Sequence, residues 1–349
     1  MNLLQKLKES EVMRPSVLVV FGTLIFVALS AYQLSFAGAA VIILSLGAFV
    51  TGDIIGFKKF KGKAKVPGKW MKTVSLAVFL VSLTAIYFDF FTAGGVPLLN
   101  ESIRRFLNPV LTSLAFLMVP ANAMLITTLH DEKYAKLKTI FFIGFTAGMM
   151  ALLGYRTEVL AALISGVLVA YYSDIFEFKE IVFFALAALL AMTGMTILRH
   201  AGITNYRSAT TMAAFDFLVE KTDAIGLTHG SIQFADFAKI FSKEPVLGGR
   251  NLVATIIGSR PAVSITSTLF GPPFADFGFF ALIEFFLIGL LTGASYKAAK
   301  TRKGAYAAGH AIILTFLLLG IETGITDLIV WTYFIAVGGF FAYSQFISK

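Results

Sequence analysis

Arginine is the residue through which this chain could do chemistry. Between Arg199 and Asp276 lies the one long stretch that reads as neither membrane span nor tail, and it carries Arg199, Arg207, Arg250 and Arg260 with His200 and His229. Upstream, Gly94-Gly95-Val96-Pro97 leads into the adjacent pair Arg104 and Arg105, and Gly154-Tyr155-Arg156-Thr157-Glu158 sets an arginine and a carboxylate on a very short connection. A guanidinium is a planar fork that grips phosphate or carboxylate through two parallel hydrogen bonds, so the set suits an anionic ligand. Pairing with Glu101, Glu158, Asp216 and Asp276 is the plainer use of the same residues. The groups in these segments able to take a proton are His200, His229, Asp276, Glu158 and Asp216. No histidine pair or acidic cluster has metal-ligand spacing, so neither a metal nor another cofactor is expected. The absence of cysteine excludes thiolate chemistry and disulfides.

The elements that must position these residues follow from composition. Hydrophobic residues make up 57% of the chain, charged residues 14%, and the mean hydropathy is +0.82. A soluble domain has a charged share of about 25%, so the expected class is an all-α integral membrane protein. A bilayer core about 30 Å thick needs about 20 apolar residues per helix. About ten transmembrane helices are therefore predicted, near 15–33, 36–56, 71–92, 109–129, 139–155, 157–173, 180–198, 276–296, 306–322 and 327–346. Only a short turn separates 139–155 from 157–173, and these two could instead form one bent pair. The first apolar run is read as a retained span because no small-residue cleavage pattern follows it.

Cytoplasmic loops retain an excess of Lys and Arg. With both termini inside, 19 of the 29 cations fall on the cytoplasmic side and 10 outside, and the kinds differ more than the numbers: 17 of the 19 are Lys, whereas 7 of the 10 are Arg. Lys suffices as a topology signal near anionic lipid heads; an arginine-rich outer face suggests that something anionic is held there. The lysine run from Lys58 to Lys72 lacks the aromatic interleaving of a nucleic-acid binder. The whole chain, 1–349, is read as one polytopic cell-membrane domain, with 199–275 as an extracytoplasmic loop subdomain. Apolar residues at helical spacing between Thr211 and Lys243 predict two short amphipathic helices in that loop.

Some positions keep two readings. Arg156 is either a ligand group oriented by Glu158 or an interfacial arginine paired to it. Arg104 and Arg105 could face an anion together or split, one inward and one to solvent. Glu284 and His310 fall inside spans, where polar contacts between helices are the commoner use.

Gly95-Val96-Pro97-Leu98-Leu99 with Arg104, then Gly154-Tyr155-Arg156-Thr157, and finally Ser267-Thr268-Leu269-Phe270-Gly271 running into Phe274-Ala275-Asp276-Phe277-Gly278 occur in an order that resembles the oligosaccharide repeat unit polymerases. These are O-antigen polymerase-like multispanning glycosyltransferases, with a C-type glycosyltransferase-like architecture. The resemblance implies transfer of a glycan from a polyprenyl (di)phosphate carrier to a second lipid-linked glycan at the outer membrane face. It further implies that Arg156, Arg260 and Arg104 grip the phosphates, that Asp276 or His200 is the base, and that Arg105, Arg207, Arg250, Glu158 and His229 help bind substrate. The implied partners are the polyprenyl (di)phosphate-linked oligosaccharide and membrane lipids, with a flippase or chain-length regulator as companion and no nucleic acid. An O-antigen ligase-like enzyme would use the same spans and arginines. A transporter or flippase of lipid-linked sugars would need charged or helix-breaking residues near the centres of several spans, at matching places in two halves, whereas these spans are nearly free of charge at mid-depth and the polar groups gather on one side.

Overall fold

The computed structural model describes residues 11–60, 68–184, 186, 206–242, 247–259 and 264–346. Among them the chain is helical, without strands: α1 (Pro15–Ser30), α2 (Phe36–Lys59), α3 (Gly68–Ala93), α4 (Pro109–Phe116), α5 (Met118–Ile126), α6 (Ala135–Leu152), α7 (Arg156–Tyr172), α8 (Tyr206–Ile225), α9 (Ala235–Phe241), α10 (Gly249–Ile256), α11 (Gly271–Phe277), α12 (Ala281–Arg302), α13 (Ala305–Thr323) and α14 (Leu328–Phe346). A further helix opens at Phe178. The protein is an all-α membrane protein. Six segments are long and apolar enough to cross a bilayer: α2, α3, α4 with α5, α6, α11 with α12, and α13.

The remaining expected spans differ in detail. Pro15–Ser30 and Leu328–Ser344 are shorter apolar helices, α7 has 17 residues, and most of the stretch expected at 180–198 lies outside the described residues. The span at 109–129 breaks at Leu117. Pro120 explains the break: its ring clashes with the carbonyl four residues back, that of Phe116, where α4 ends.

The contacts divide the chain into two compact units. The first comprises Met1–Lys61, Thr204–Tyr296 and Phe316–Tyr343. Within it α2 and α12 approach backbone to backbone through two small-residue repeats, Gly52-x3-Gly56 and Gly289-x3-Gly293. A Cβ on Gly52 or Gly56 would strike the carbonyls of Phe286 and Leu290, and one on Gly289 or Gly293 those of Phe49 and Asp53. In a membrane, where apolar side chains gain little by meeting one another, such close backbone approach supplies the packing. Arg14 donates to fully buried Asp53 at 2.6 Å and lies over the Phe57 ring.

In the same unit α8 packs on α1, α2, α10 and α11. It has 20 residues, longer than the first of the two short amphipathic helices expected here, and it buries Met212, Phe215, Leu218 and Val219 in protein. Leu218 shares a small core with Ile232, Val253 and Ala275. On its opposite side Asp216 accepts hydrogen bonds from the Ser35 amide (2.9 Å) and hydroxyl (2.7 Å), which ties α8 to the α1–α2 turn. Burial first, and then Asp216, raises the Tyr32 phenol above its usual range.

The second unit comprises Gly62–Ile203, Lys297–Thr315 and Ser344–Lys349. In it α6 and α7 form a tight hairpin, α5 packs on α7, and α3 carries α4 and α5. The hairpin closes because Gly166 leaves room for Ile143. At the α5–α6 connection Glu132 bridges Lys138 and Lys72, and the two ammonium groups hold its carboxyl down at about 2.

Candidate functional site

In the second unit, three of the residues singled out by type converge on one turn. After α3 the chain turns at Gly94 and Gly95, whose backbones have φ 78° and 157°, and the Leu98 amide then donates to the carbonyl of Leu152 at the end of α6 (3.1 Å). This anchors the short 3-10 helix Glu101–Phe106, started by Asn100, whose side chain accepts from the Ser102 amide. Arg104 thereby lies over the Tyr155 ring, 4.2 Å from its centroid, and Phe116 braces that ring edge-on at 5.0 Å. Cation–π contacts of this kind contribute about 0.5–2 kcal/mol. The next residue, Arg156, opens α7, whose N-cap Tyr155 makes no side-chain hydrogen bond to the first-turn amides. Glu158, 7% exposed, sits in that first turn, where a negative charge complements the helix dipole. Arg104, Tyr155, Arg156 and Glu158 are therefore one constellation at a helix N-terminus, a place that favours anions. Arg105 is exposed.

Beside the loop that carries Arg104 runs an apolar groove of about 330 Å³ between α3 and α4, lined by Leu80, Val81, Phe88, Leu111 and Leu114 with Ala85 among them. Thr84 also lines it, with its hydroxyl turned back to the carbonyl of Leu80 (2.9 Å). Near one end Asp89 staples the two helices, accepting from the Asn108 amide and the Thr112 hydroxyl, both at 2.7 Å.

In the first unit, the expected residues gather around the turn that joins α13 to α14. Arg207 pairs with Glu322 at 2.6 Å and Arg250 with Asp327 at 2.5 Å. Beneath that turn lies Ser267-Thr268-Leu269-Phe270-Gly271. Thr268 is 1% exposed and has φ 61°, a conformation that costs a β-branched residue about 1–3 kcal/mol. Its hydroxyl accepts from the Phe270 amide, and the Leu269 amide donates to Ile321 at 3.4 Å. Gly324, also at positive φ, would put a Cβ 2.9 Å from the Thr268 carbonyl, so both residues serve one close crossing.

Asp276 is fully buried, and its two oxygens take three donors: the Thr228 hydroxyl (2.5 Å) and the amides of Ile232 (3.1 Å) and Gln233 (2.8 Å). The His229 amide donates to the Asp276 carbonyl, while the imidazole side is exposed in a turn of φ 51°. The carboxylate thus folds the 228–233 segment onto α11. Gln233 continues the chain of contacts, donating to Glu284 at 2.7 Å. His200 and Arg260 lie outside the described residues.

Type and spacing missed the partners: Tyr155 under Arg104, and Glu322 and Asp327 opposite Arg207 and Arg250. Tyr155 stands inside a motif already singled out, and its aromatic face beside an arginine was the available signal. The two carboxylates lie more than 70 residues from their arginines, with no local signal.

The family described as "Putative O-antigen polymerase" matches residues 11–334. Of curated proteins, the chain is 31% identical to the uncharacterized protein MJ0419 of Methanocaldococcus jannaschii over 78% of its own length and 77% of that protein's. It is 23% identical to the uncharacterized protein MJ0420 of the same organism, over 71% of its own length and 60% of that protein's. No solved structure matches the chain significantly.

Proposed function

The chain belongs to the O-antigen polymerase family, membrane proteins of polysaccharide biosynthesis, and from that premise we propose that it polymerises lipid-linked oligosaccharide repeat units. In this reading a glycan passes from a polyprenyl (di)phosphate carrier to a hydroxyl of a second lipid-linked glycan, at the outer face of the membrane. Both termini are then cytoplasmic, the 199–275 segment is extracytoplasmic, and a flippase delivers the substrate.

The observation that carries the proposal is Arg104 stacked on Tyr155 beside Arg156 at the start of α7. When the acceptor oxygen attacks the anomeric carbon, the bond from that carbon to the phosphate oxygen breaks, the ring passes through a cationic state and the phosphate leaves with the electron pair. Preorganised guanidinium groups and helix amides stabilise that departing charge without a metal. Arg260 is assigned the same task. The acceptor proton passes to a base, and the reading gives that role to His200. Asp276, already holding three donors, keeps the loop of His229 in place. The apolar groove between α3 and α4 takes part of the isoprenoid tail, which burial of apolar surface favours.

The test is to supply purified protein with a polyprenyl diphosphate-linked oligosaccharide and to follow product length. Growth in whole repeat steps is expected. A single transfer to a different acceptor would make the chain a ligase, and movement across the bilayer without covalent change would make it a carrier.

A further inference from the structure

Where the α13–α14 turn meets the start of α10, the protein leaves a set of polar groups unpaired. Gly249 permits the approach: a Cβ there would strike the carbonyl of Ile232 and come within 3.2 Å of Thr326 Cβ. Gln233, Arg250, Thr326 and Asp327 are therefore neighbours. Gln233 and Thr326 are 1% and 3% exposed, yet Gln233 Oε1 and Thr326 Oγ1 have no hydrogen-bond partner, and neither do Arg250 Nε and Trp331 Nε1. The Gln233 amide nitrogen donates to Glu284, and Arg250 Nη2 donates to Asp327. Buried polar atoms are nearly always bonded, because desolvating them without a partner is uncompensated. Four such atoms belong to side chains of this corner: two N–H donors, a hydroxyl that can serve either way, and a carbonyl acceptor.

Charge decides what could satisfy them. The two cations of this corner are already answered, Arg250 by Asp327 and Lys239 by Asp236 (2.6 Å), so it has no net charge to offer an anion. Asp236 also lies near the Leu328 amide at the start of α14. Trp331 packs against Phe234, ring centroids 5.3 Å apart, and forms an apolar wall. A neutral ligand that presents many hydroxyls, each both donor and acceptor, fits such a mixture of arms and wall.

We infer that this corner is a glycan subsite, holding the saccharide part of the substrate through its hydroxyls with Arg250, Thr326, Gln233 and Trp331. It rests on the polymerase reading for the source of the saccharide, but binding there requires no transfer.

The chain has two tryptophans, Trp70 and Trp331, so Trp70→Phe leaves Trp331 as the sole reporter. This variant in nanodiscs is titrated with the oligosaccharide released from the producing organism's own surface polysaccharide, with inorganic pyrophosphate at matched ionic strength as the anion control. A saturable change in emission with saccharide and none with pyrophosphate is expected. Thr326→Val and Arg250→Lys should each weaken the saccharide response about tenfold, while Thr326→Ser, which keeps the hydroxyl, retains it. A silent Trp331, or an equal response to pyrophosphate, overturns the subsite, and does so even where Thr326→Val fails to fold. Saccharide binding without transfer would sink the polymerase reading and leave the subsite standing; transfer with a silent Trp331 would do the reverse.

Discussion

The two polar regions settle their arginines differently. In the first unit each described arginine is answered by a carboxylate: Arg14 by Asp53, Arg207 by Glu322 and Arg250 by Asp327. In the second, Arg104 is held by an aromatic face, and among the described residues neither it nor Arg105 has a carboxylate partner. The difference matters because a paired guanidinium must give up its carboxylate before it can accept a phosphate, whereas one held by a ring keeps its donors available. In the reading proposed above, the turn of Arg104 and Arg156 takes a phosphate, and the corner of Arg250 and Thr326 takes glycan hydroxyls.

The sharpest way to break this contrast is Arg156→Lys, which keeps the charge and loses the fork. Repeat-unit transfer should fall about 100-fold or more, with the protein still inserted, as read by product length from purified variant. Unchanged product length would remove the phosphate role from the α7 turn. Next in size, Arg250→Lys should weaken saccharide binding about tenfold while leaving the response to polyprenyl phosphate alone unaltered. An equal loss on both ligands would erase the division of labour.

Tyr155→Leu tests what holds Arg104. Loss of the ring face should weaken polyprenyl diphosphate binding about fivefold, measured by displacement of a labelled lipid. The smallest effect concerns Glu132, whose carboxyl is lowered from 4.5 to about 2 by Lys138 and Lys72. A carboxyl depressed on folding contributes stability above pH 4.5 that is lost as pH falls toward 2. Glu132→Gln should therefore lower thermal stability slightly at pH 7, and its difference from the unaltered protein should shrink through that window.

Much of the helix layout was legible because a bilayer imposes a long apolar run on each crossing. The break at Leu117 was legible too, in Pro120, although an averaging window smooths it away. The Gly52–Gly56 and Gly289–Gly293 repeats stood in plain view as glycine at i and i+4, but only the fold shows that they face each other. For the site, arginine type pointed to an anion, and the Gly154–Glu158 turn already held Tyr155. What sequence could not carry was pairing at a distance. Asp276 has the composition of a base, yet three donors from residues 228–233 enclose it, and nothing in its neighbours along the chain signals that. The structure of α8 likewise depends on Asp216 meeting Ser35, 181 residues away.

The glycine contact between α2 and α12 also limits how this protein can move. With main chain against main chain there is no cushion of side chains to shear, and a slide of either helix by less than a full turn would drive Cβ-bearing residues such as Phe49 and Phe286 into the facing backbone. The two helices therefore resist sliding past one another and move, if at all, as a single stiff beam.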